Sequence, residues 1–448
     1  MVSANNDGSL TGFQYDSLGN CTRSTSGGIG ALVCPHDSLG RRTSLTYPGG
    51  RTLTYAYDLL DQCTNISETG ASLASFSYAG PGRVARVIYG NGTHTQVSYN
   101  GIVGTPNAAE DFGHGQIKSV AHGIPGAGGT QSIAAVNLKW DRNGNKTSRT
   151  DTIFATAIPR TNTQALQYDA ADRLTRTTVS GDPATVRETI YGLDLMGNRT
   201  NVSGAASCSG AYVMNGLTPG PMDLQMNQYT ATPCDSRSYD EKGNLVSRGS
   251  TAGSVAYQYD YASRLVSVVV PGSLVVSYGY DALGRRISKT VPGNGGLPPV
   301  TTRFVFDCDK VIEERVNDAV AASYVHATGL SDKIRENDSV VLEMHRGGQD
   351  YYFHTDDQGN VLALTGANGV VAERYYHGDY GAVTFLTSDG TATTATSSSV
   401  GNPYCWHGHR LDVETGLQNN DGAGYLEKRS GRCLTQEPQR KRNWSVGE

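Results

Sequence analysis

Sulfur and large apolar side chains are scarce in this chain of 448 residues, which carries 8 cysteines, 6 methionines, 8 phenylalanines and 3 tryptophans. The cysteines stand at positions 21, 34, 63, 208, 234, 308, 405 and 433 with no CxxC pair, so zinc-ribbon spacing is absent and no disulfide framework is implied. Cys208 and Cys234 bracket an irregular stretch and could pair outside the cytosol. No run of about 18 apolar residues exists, so no segment reads as a membrane-spanning helix. The opening MVSANNDGSL has neither the basic nor the apolar region of a signal peptide. A formal charge of −5 over this length excludes nucleic acid as a partner for the surface as a whole. The one basic run, Gln439 to Arg442, reads as part of a solvated, disordered tail, 439–448.

Glycine and tyrosine are abundant instead, at 55 and 25 residues. Tyrosine and β-branched residues suit a half-exposed pleated surface, and glycine supplies positive φ at turns, so the chain reads as all-β and turn-rich. It is also periodic. YDSLGN at Tyr15, HDSLGR at His36 and YDLLDQ at Tyr57 continue to Tyr78 and Tyr99, a spacing of 21 throughout. Later copies are WDRNGN at Trp140, YDAADR at Tyr168, DLMGNR at Asp194, YDEKGN at Tyr239, YDYASR at Tyr259 and YDALGR at Tyr280.

Each copy reads as strand, turn, strand. The aspartates (Asp16, Asp37, Asp58, Asp169, Asp240, Asp260, Asp281) can bond forward to turn amides, and the glycines (Gly19, Gly40, Gly243, Gly284) can take the left-handed position that closes a bulged hairpin. A lone hairpin is marginal, so the units must pair edge to edge, and their tyrosines are expected to stack ring on ring across successive strands. Aspartates repeated at one period are turn residues, not a series of active sites.

The YD-x-x-G-R/N motif at this period resembles the RHS/YD-repeat family over roughly residues 11–310. YYFHTDDQGN, with Asp356 and Gly359, and NPYCWHGHRLDVETGL, with Asn402, Pro403, Tyr404, Gly408, Arg410, Glu414, Thr415, Gly416 and Leu417, resemble that family's repeat-associated core. The resemblance implies a curved, spiralling sheet of β-hairpins forming part or all of a shell, with residues 1–345 as wall and 346–438 as closing core. It implies secretion or a cell-surface location, and further repeats or a toxin-complex component as partners.

Family members end the core with aspartates used for self-cleavage. Here Glu427 and Glu437 occupy those places, and Lys428 replaces a proline. A glutamate arm is one methylene longer, and misplacement by about 1 Å can cost on the order of a hundredfold in rate. The chain is therefore expected to be non-catalytic, with Glu427 and Glu437 as the weak candidates. Ten residues follow Pro438, too few for a toxin domain, so a truncated or degenerate copy is expected.

Other constellations are weaker. His407 and His409 with His377 and Asp412 have no fixed third metal ligand, and the glycines of Pro125 to Thr130 lack the Lys-Ser/Thr of a phosphate loop. No cofactor is implied. The alternatives to a shell are a surface module binding glycans through tyrosine and amide rows, and a self-cleaving core.

Overall fold

The computed structural model describes residues 2–6, 9–26, 28–101, 110–126, 129–155, 159–181, 186–206, 208–214, 228–272, 274–327, 340–419, 424–427 and 432–435. The tail 439–448 lies outside them. The described chain is built from antiparallel strands in sheets of 18, 14 and 4 strands. The first runs from Val2–Asn6 to Gly210–Ala211, the second from Ser236–Tyr239 to Val383–Leu386, and the third from Arg410–Asp412 to Arg432–Cys433. Within each, strands pair with their sequence neighbours, so the chain meanders as a ribbon of hairpins. Bridges from Val213 to Ala231 and from Ala231 to Ser236 carry the ribbon from the first sheet to the second.

One turn recurs. At Asp281 the backbone amide donates to the carbonyl of Arg285 at 3.0 Å, and that of Gly284 returns to the Asp281 carbonyl at 3.0 Å. The carboxylate accepts the amides of Leu283 and Arg285 at 3.0 and 2.9 Å and the Arg285 Nε at 2.8 Å. Asp16, Asp37, Asp58, Asp141, Asp169, Asp194, Asp240, Asp260 and Asp356 repeat this pattern, with Asn, Gln or Arg as the side-chain donor four residues on. The fourth residue of the turn is left-handed, with φ of 78° at Gly284 and of 60°, 58° and 59° where Asp61, Asp172 and Ser263 replace glycine. Those three side chains each accept a bond from the preceding turn, from Arg41, Asn145 and Asn244 respectively. The pairing register slips by one residue at the tyrosine, as between Gly279 and Tyr280, which makes each unit a bulged hairpin.

The recurrent tyrosine contact differs from the ring-on-ring ladder read from the sequence. The hydroxyls of Tyr57, Tyr78, Tyr99, Tyr259 and Tyr280 donate to the carbonyls of Arg42, Cys63, Val84, Leu245 and Leu265, one unit back. The ring of Tyr280 lies 5.2 Å under the Arg264 guanidinium of that preceding turn, and Tyr57 sits the same way under Arg41. A half-buried phenol satisfies its hydroxyl and its ring with two different groups, and a repeat period cannot say which groups these are. Tyr15, in the first of these units, is exposed.

The first two sheets pack face to face. Leu45, Leu53, Ile66 and Val87 meet Val305, Ile312, Val325 and Leu342 in one core. The alternate residues of the same second-sheet strands, Phe304, Val311, Tyr324 and Val341, face a second core with Tyr404 and Leu411. Middle strands of the second sheet are thus covered on both faces, which explains continuous buried runs such as those in Lys310–Val316 and Val341–Arg346. The third sheet lays Leu417, Tyr425 and Leu434 on the start of the second, against Leu265 and Val276. Cys208 and Cys234 are joined by a disulfide.

A Cβ added at Gly284 would meet nothing within 4 Å, so Gly284→Ala isolates the backbone cost of the left-handed position. This variant should lose about 1–2 kcal/mol in chemical denaturation; an unchanged midpoint would show that the turn does not need glycine.

Candidate functional site

The core-module motif is spent on bracing. Asn402 makes a local turn, its Oδ1 accepting the Tyr404 amide at 2.9 Å while its Nδ2 donates to the Tyr404 carbonyl at 2.7 Å and the Tyr375 hydroxyl at 3.0 Å. The carbonyl of Pro403 accepts the Leu411 amide at 2.8 Å. Gly408, left-handed at φ 66°, lets the chain approach the Asp356 turn, where its amide donates to the carbonyl of Gly359 at 3.2 Å. Arg410 then points into the core. Its guanidinium lies 5.0, 5.6 and 5.0 Å from the rings of Phe304, Tyr324 and Tyr404 and donates to Glu314. Burial alone would raise the Glu314 carboxyl, but the guanidiniums of Arg410 and Arg346 hold it down to about 2.

Further along, the Asp412 carbonyl accepts the Gly416 amide at 2.7 Å, closing the turn that carries Thr415 and delivers Leu417 to the third core. The Asp412 carboxylate takes Arg286, and Lys289 bridges to Glu414 at 3.0 Å. Asp356 receives Arg149 of the first sheet at 2.6 Å, and the adjacent Asp357 receives Lys146.

Glu427 is buried in a four-member ion cluster. Arg237 reaches one of its oxygens at 3.0 Å and Arg248 the other at 3.2 Å, while Asp235 holds Arg237 at 2.7 Å. Both Glu427 oxygens are therefore occupied in tying the third sheet to Ser236–Tyr239 and Leu245–Ser250. Glu437 and Lys428 lie outside the described residues.

The histidine set is not gathered into a ligand cage. His377 Nε2 donates to the Val361 carbonyl at 2.7 Å, and Asp412 is engaged by Arg286 and Lys289. Of the glycine-rich stretch, Ile117–Gly126 and Gly129–Trp140 form a hairpin.

Between the sheets lies a cavity of about 560 Å³ lined by Arg83, Tyr99, Trp140, Leu342, Asp357 and His407, among others. A second, of about 240 Å³, is lined by Arg149, Tyr168, Asn360, Tyr376 and Trp406 among its residues. The first has the size of a small-molecule pocket and the second falls below it. Sequence reading missed the polar interior beside them. His122 and His354 are buried with ring centres 5.1 Å apart, their nitrogens 2.9 Å from Thr95 Oγ1 and 3.0 Å from Thr365 Oγ1. It missed Arg286 too, whose signal was the doubled arginine of YDALGRR: the first serves the turn and the second faces the core.

Residues 128–391 match the family described as Teneurin YD-shell, and residues 36–72 match the RHS repeat. The tRNA3(Ser)-specific nuclease WapA of Bacillus spizizenii and the tRNA nuclease WapA of Bacillus subtilis are each 27% identical over 216 residues, 48% of this chain and 8% of theirs. The crystal structure of TcdB2-TccC3-Cdc42 aligns over 97% of this chain and 22% of that one, with TM-score 0.63 and 14% identity. The Tc holotoxin pore of Photorhabdus luminescens aligns over 98% of this chain and 22% of that one, with TM-score 0.63 and 15% identity. At such identities the likeness is one of fold, and this chain spans a small part of each relative.

Burial lowers His122, His326 and His409 from 6.5 to about 4, and lowers His354 well below its ordinary value too. Through that window the unfolded chain binds more protons than the folded one, so stability is complete above it and falls as pH drops through it. Glu314, held down to about 2 from 4.5, adds a loss at still lower pH, whereas burial raises Glu343 from 4.5 to about 8, so its protonation in the folded chain offsets part of the fall due to the several histidines. Denaturant midpoints should therefore fall between about pH 7 and pH 4, less steeply in a His122→Asn variant. A flat wild-type profile would contradict the buried neutral histidines.

Proposed function

The chain belongs to the Teneurin YD-shell family, and from that premise we propose that it is a structural shell segment whose core module braces the hairpin wall without catalysing a reaction. The observation that carries this reading is the engagement of Asp356, Asn402, Arg410, Asp412 and Glu414 in contacts holding strand to strand and core to wall. We assign the wall to residues 1–345 and the bracing core to 346–438. In this reading the partners are further hairpin repeats or components of a toxin complex. Enclosing a folded cargo would need more wall than the two cavities offer, so the segment contributes to an enclosure formed with those partners. The nuclease activity in the names of the WapA relatives belongs to whole proteins of which this chain spans 8%, and it is not assigned here.

Two measurements test the proposal. Arg410→Met leaves Glu314 buried with Arg346 as its remaining guanidinium, and should destabilise the chain by about 1–3 kcal/mol; a stability equal to wild type would remove the bracing role. Intact mass after prolonged incubation should give one full-length species, whereas a product cut near Glu427 would make the chain a self-processing protein.

A further inference from the structure

Strands Val341–Arg346 and Gln349–Thr355 form a tight hairpin through Gly347 and Gly348, both at positive φ. Its register sets His345 opposite Asp350 and Glu343 opposite Tyr352. Glu343 and His345, two residues apart on one strand, face the same side as Asp350. One ligand atom from each of Glu343, His345 and Asp350 lies within 4.8 Å of the other two.

The buried member of this trio is incompletely satisfied. The Glu343 side chain is 1% exposed, and its Oε2 accepts Arg51 Nη2 at 2.8 Å. Its Oε1, also shut off from solvent, has no hydrogen-bond partner. A buried carboxyl oxygen without a hydrogen-bond partner is costly and calls for an explanation. Arg51 is shared between Glu343 and Glu68, at 2.8 Å from each, while the third carboxylate, Asp350, has His345 Nδ1 at 2.6 Å. The neighbouring Glu313 is already paired with Arg315 at 3.1 Å. Three carboxyl groups thus share one guanidinium and one imidazole.

We propose that Glu343, His345 and Asp350 form a binding site for a divalent transition metal of the zinc class. Glu343 Oε1, an imidazole nitrogen of His345 and an Asp350 oxygen supply three ligands, and a fourth position stays open to water. Tetrahedral zinc sets its ligand atoms roughly 3.3 Å apart, so atoms that lie within 4.8 Å must close by about 1.5 Å at most. His345 and Asp350 can make that movement, since their side chains are 48% and 41% exposed. The same exposure provides the entry path. An imidazole in a set of three favours zinc, copper or nickel over calcium and magnesium, which take oxygen ligands in greater number. Arg51, on the first sheet, would remain on Glu343 Oε2 as an outer partner orienting the ligand. The metal would thereby staple the two strands of the hairpin together, with Glu343 and His345 on one and Asp350 on the other.

The test uses the full chain, stripped with chelator and titrated with zinc, with calcium and magnesium as separate arms. His345→Ala and Asp350→Asn change exposed side chains and leave the Arg51–Glu343 pair intact; circular dichroism checks that both variants fold. Wild type should bind one more equivalent of zinc than either variant, or bind it at least about tenfold more tightly. Zinc should raise the denaturation midpoint of wild type alone, and cobalt should give ligand-field absorption that the variants lack. Equal zinc stoichiometry and affinity in wild type and both variants would overturn the site, and calcium binding as tight as zinc would overturn the metal class.

Discussion

A carboxylate that accepts two backbone amides and one side-chain donor within five residues closes each hairpin from the inside. Asp281 makes every one of these bonds within its own turn, and the Arg264 guanidinium of the preceding turn adds a bond to its carbonyl at 3.2 Å. Repeating a self-closing turn fixes which strands pair, because consecutive strands are held at one end before any sheet exists. The meander follows from that local rule, and long sheets become affordable without long-range strand pairing. The left-handed fourth residue is the geometric condition of the turn. Where glycine is replaced, at Asp61, Asp172 and Ser263, the side chain takes a bond from the preceding turn that offsets the strain.

Charged seams then align one sheet on another. Arg42 meets Asp307, Arg51 meets Glu343 and Arg149 meets Asp356, each pairing the first sheet with the second. The Gly49 amide on Glu313 and the Tyr47 hydroxyl on the Tyr324 carbonyl, at 2.8 and 2.7 Å, extend the same contact. Buried ion pairs add little net stability over apolar packing, yet breaking one is expensive, so a misaligned pair of sheets is penalised strongly. These seams therefore work mainly as registration marks between surfaces whose apolar residues alone would tolerate sliding. Arg410, held by Glu314 and three aromatic rings, does the same for the core segment on the other face of the second sheet.

The candidate site was only partly legible. Its motif residues, Asp356, Asn402 and Arg410 among them, stand out because they occur as ordered words in the chain. Their partners do not. Glu314 lies 96 residues before Arg410, and Arg149 lies 207 before Asp356. Nothing in YDALGRR distinguishes the arginine that serves the turn from the one that enters the core, until the strand's inward face is known. The buried histidines carry no motif at all. Glu427 was legible by position, but the guanidiniums that occupy it come from Arg237 and Arg248, 190 and 179 residues away.

By itself the sequence determined the turns, the bulged hairpins and the order of the strands, because each rests on bonds between residues at most five positions apart and on alternation along one strand. It also marked one tyrosine per unit, though not that its hydroxyl would reach back to the preceding unit. Only the tertiary structure decided which faces meet, which arginine reaches which carboxylate, and that Glu343, His345 and Asp350 converge beside Arg51. Those outcomes depend on the twist and curvature accumulated over many strands, which bring residues such as Arg51 and Glu343, 292 positions apart, to within 2.8 Å. No local pattern encodes a sum of that kind.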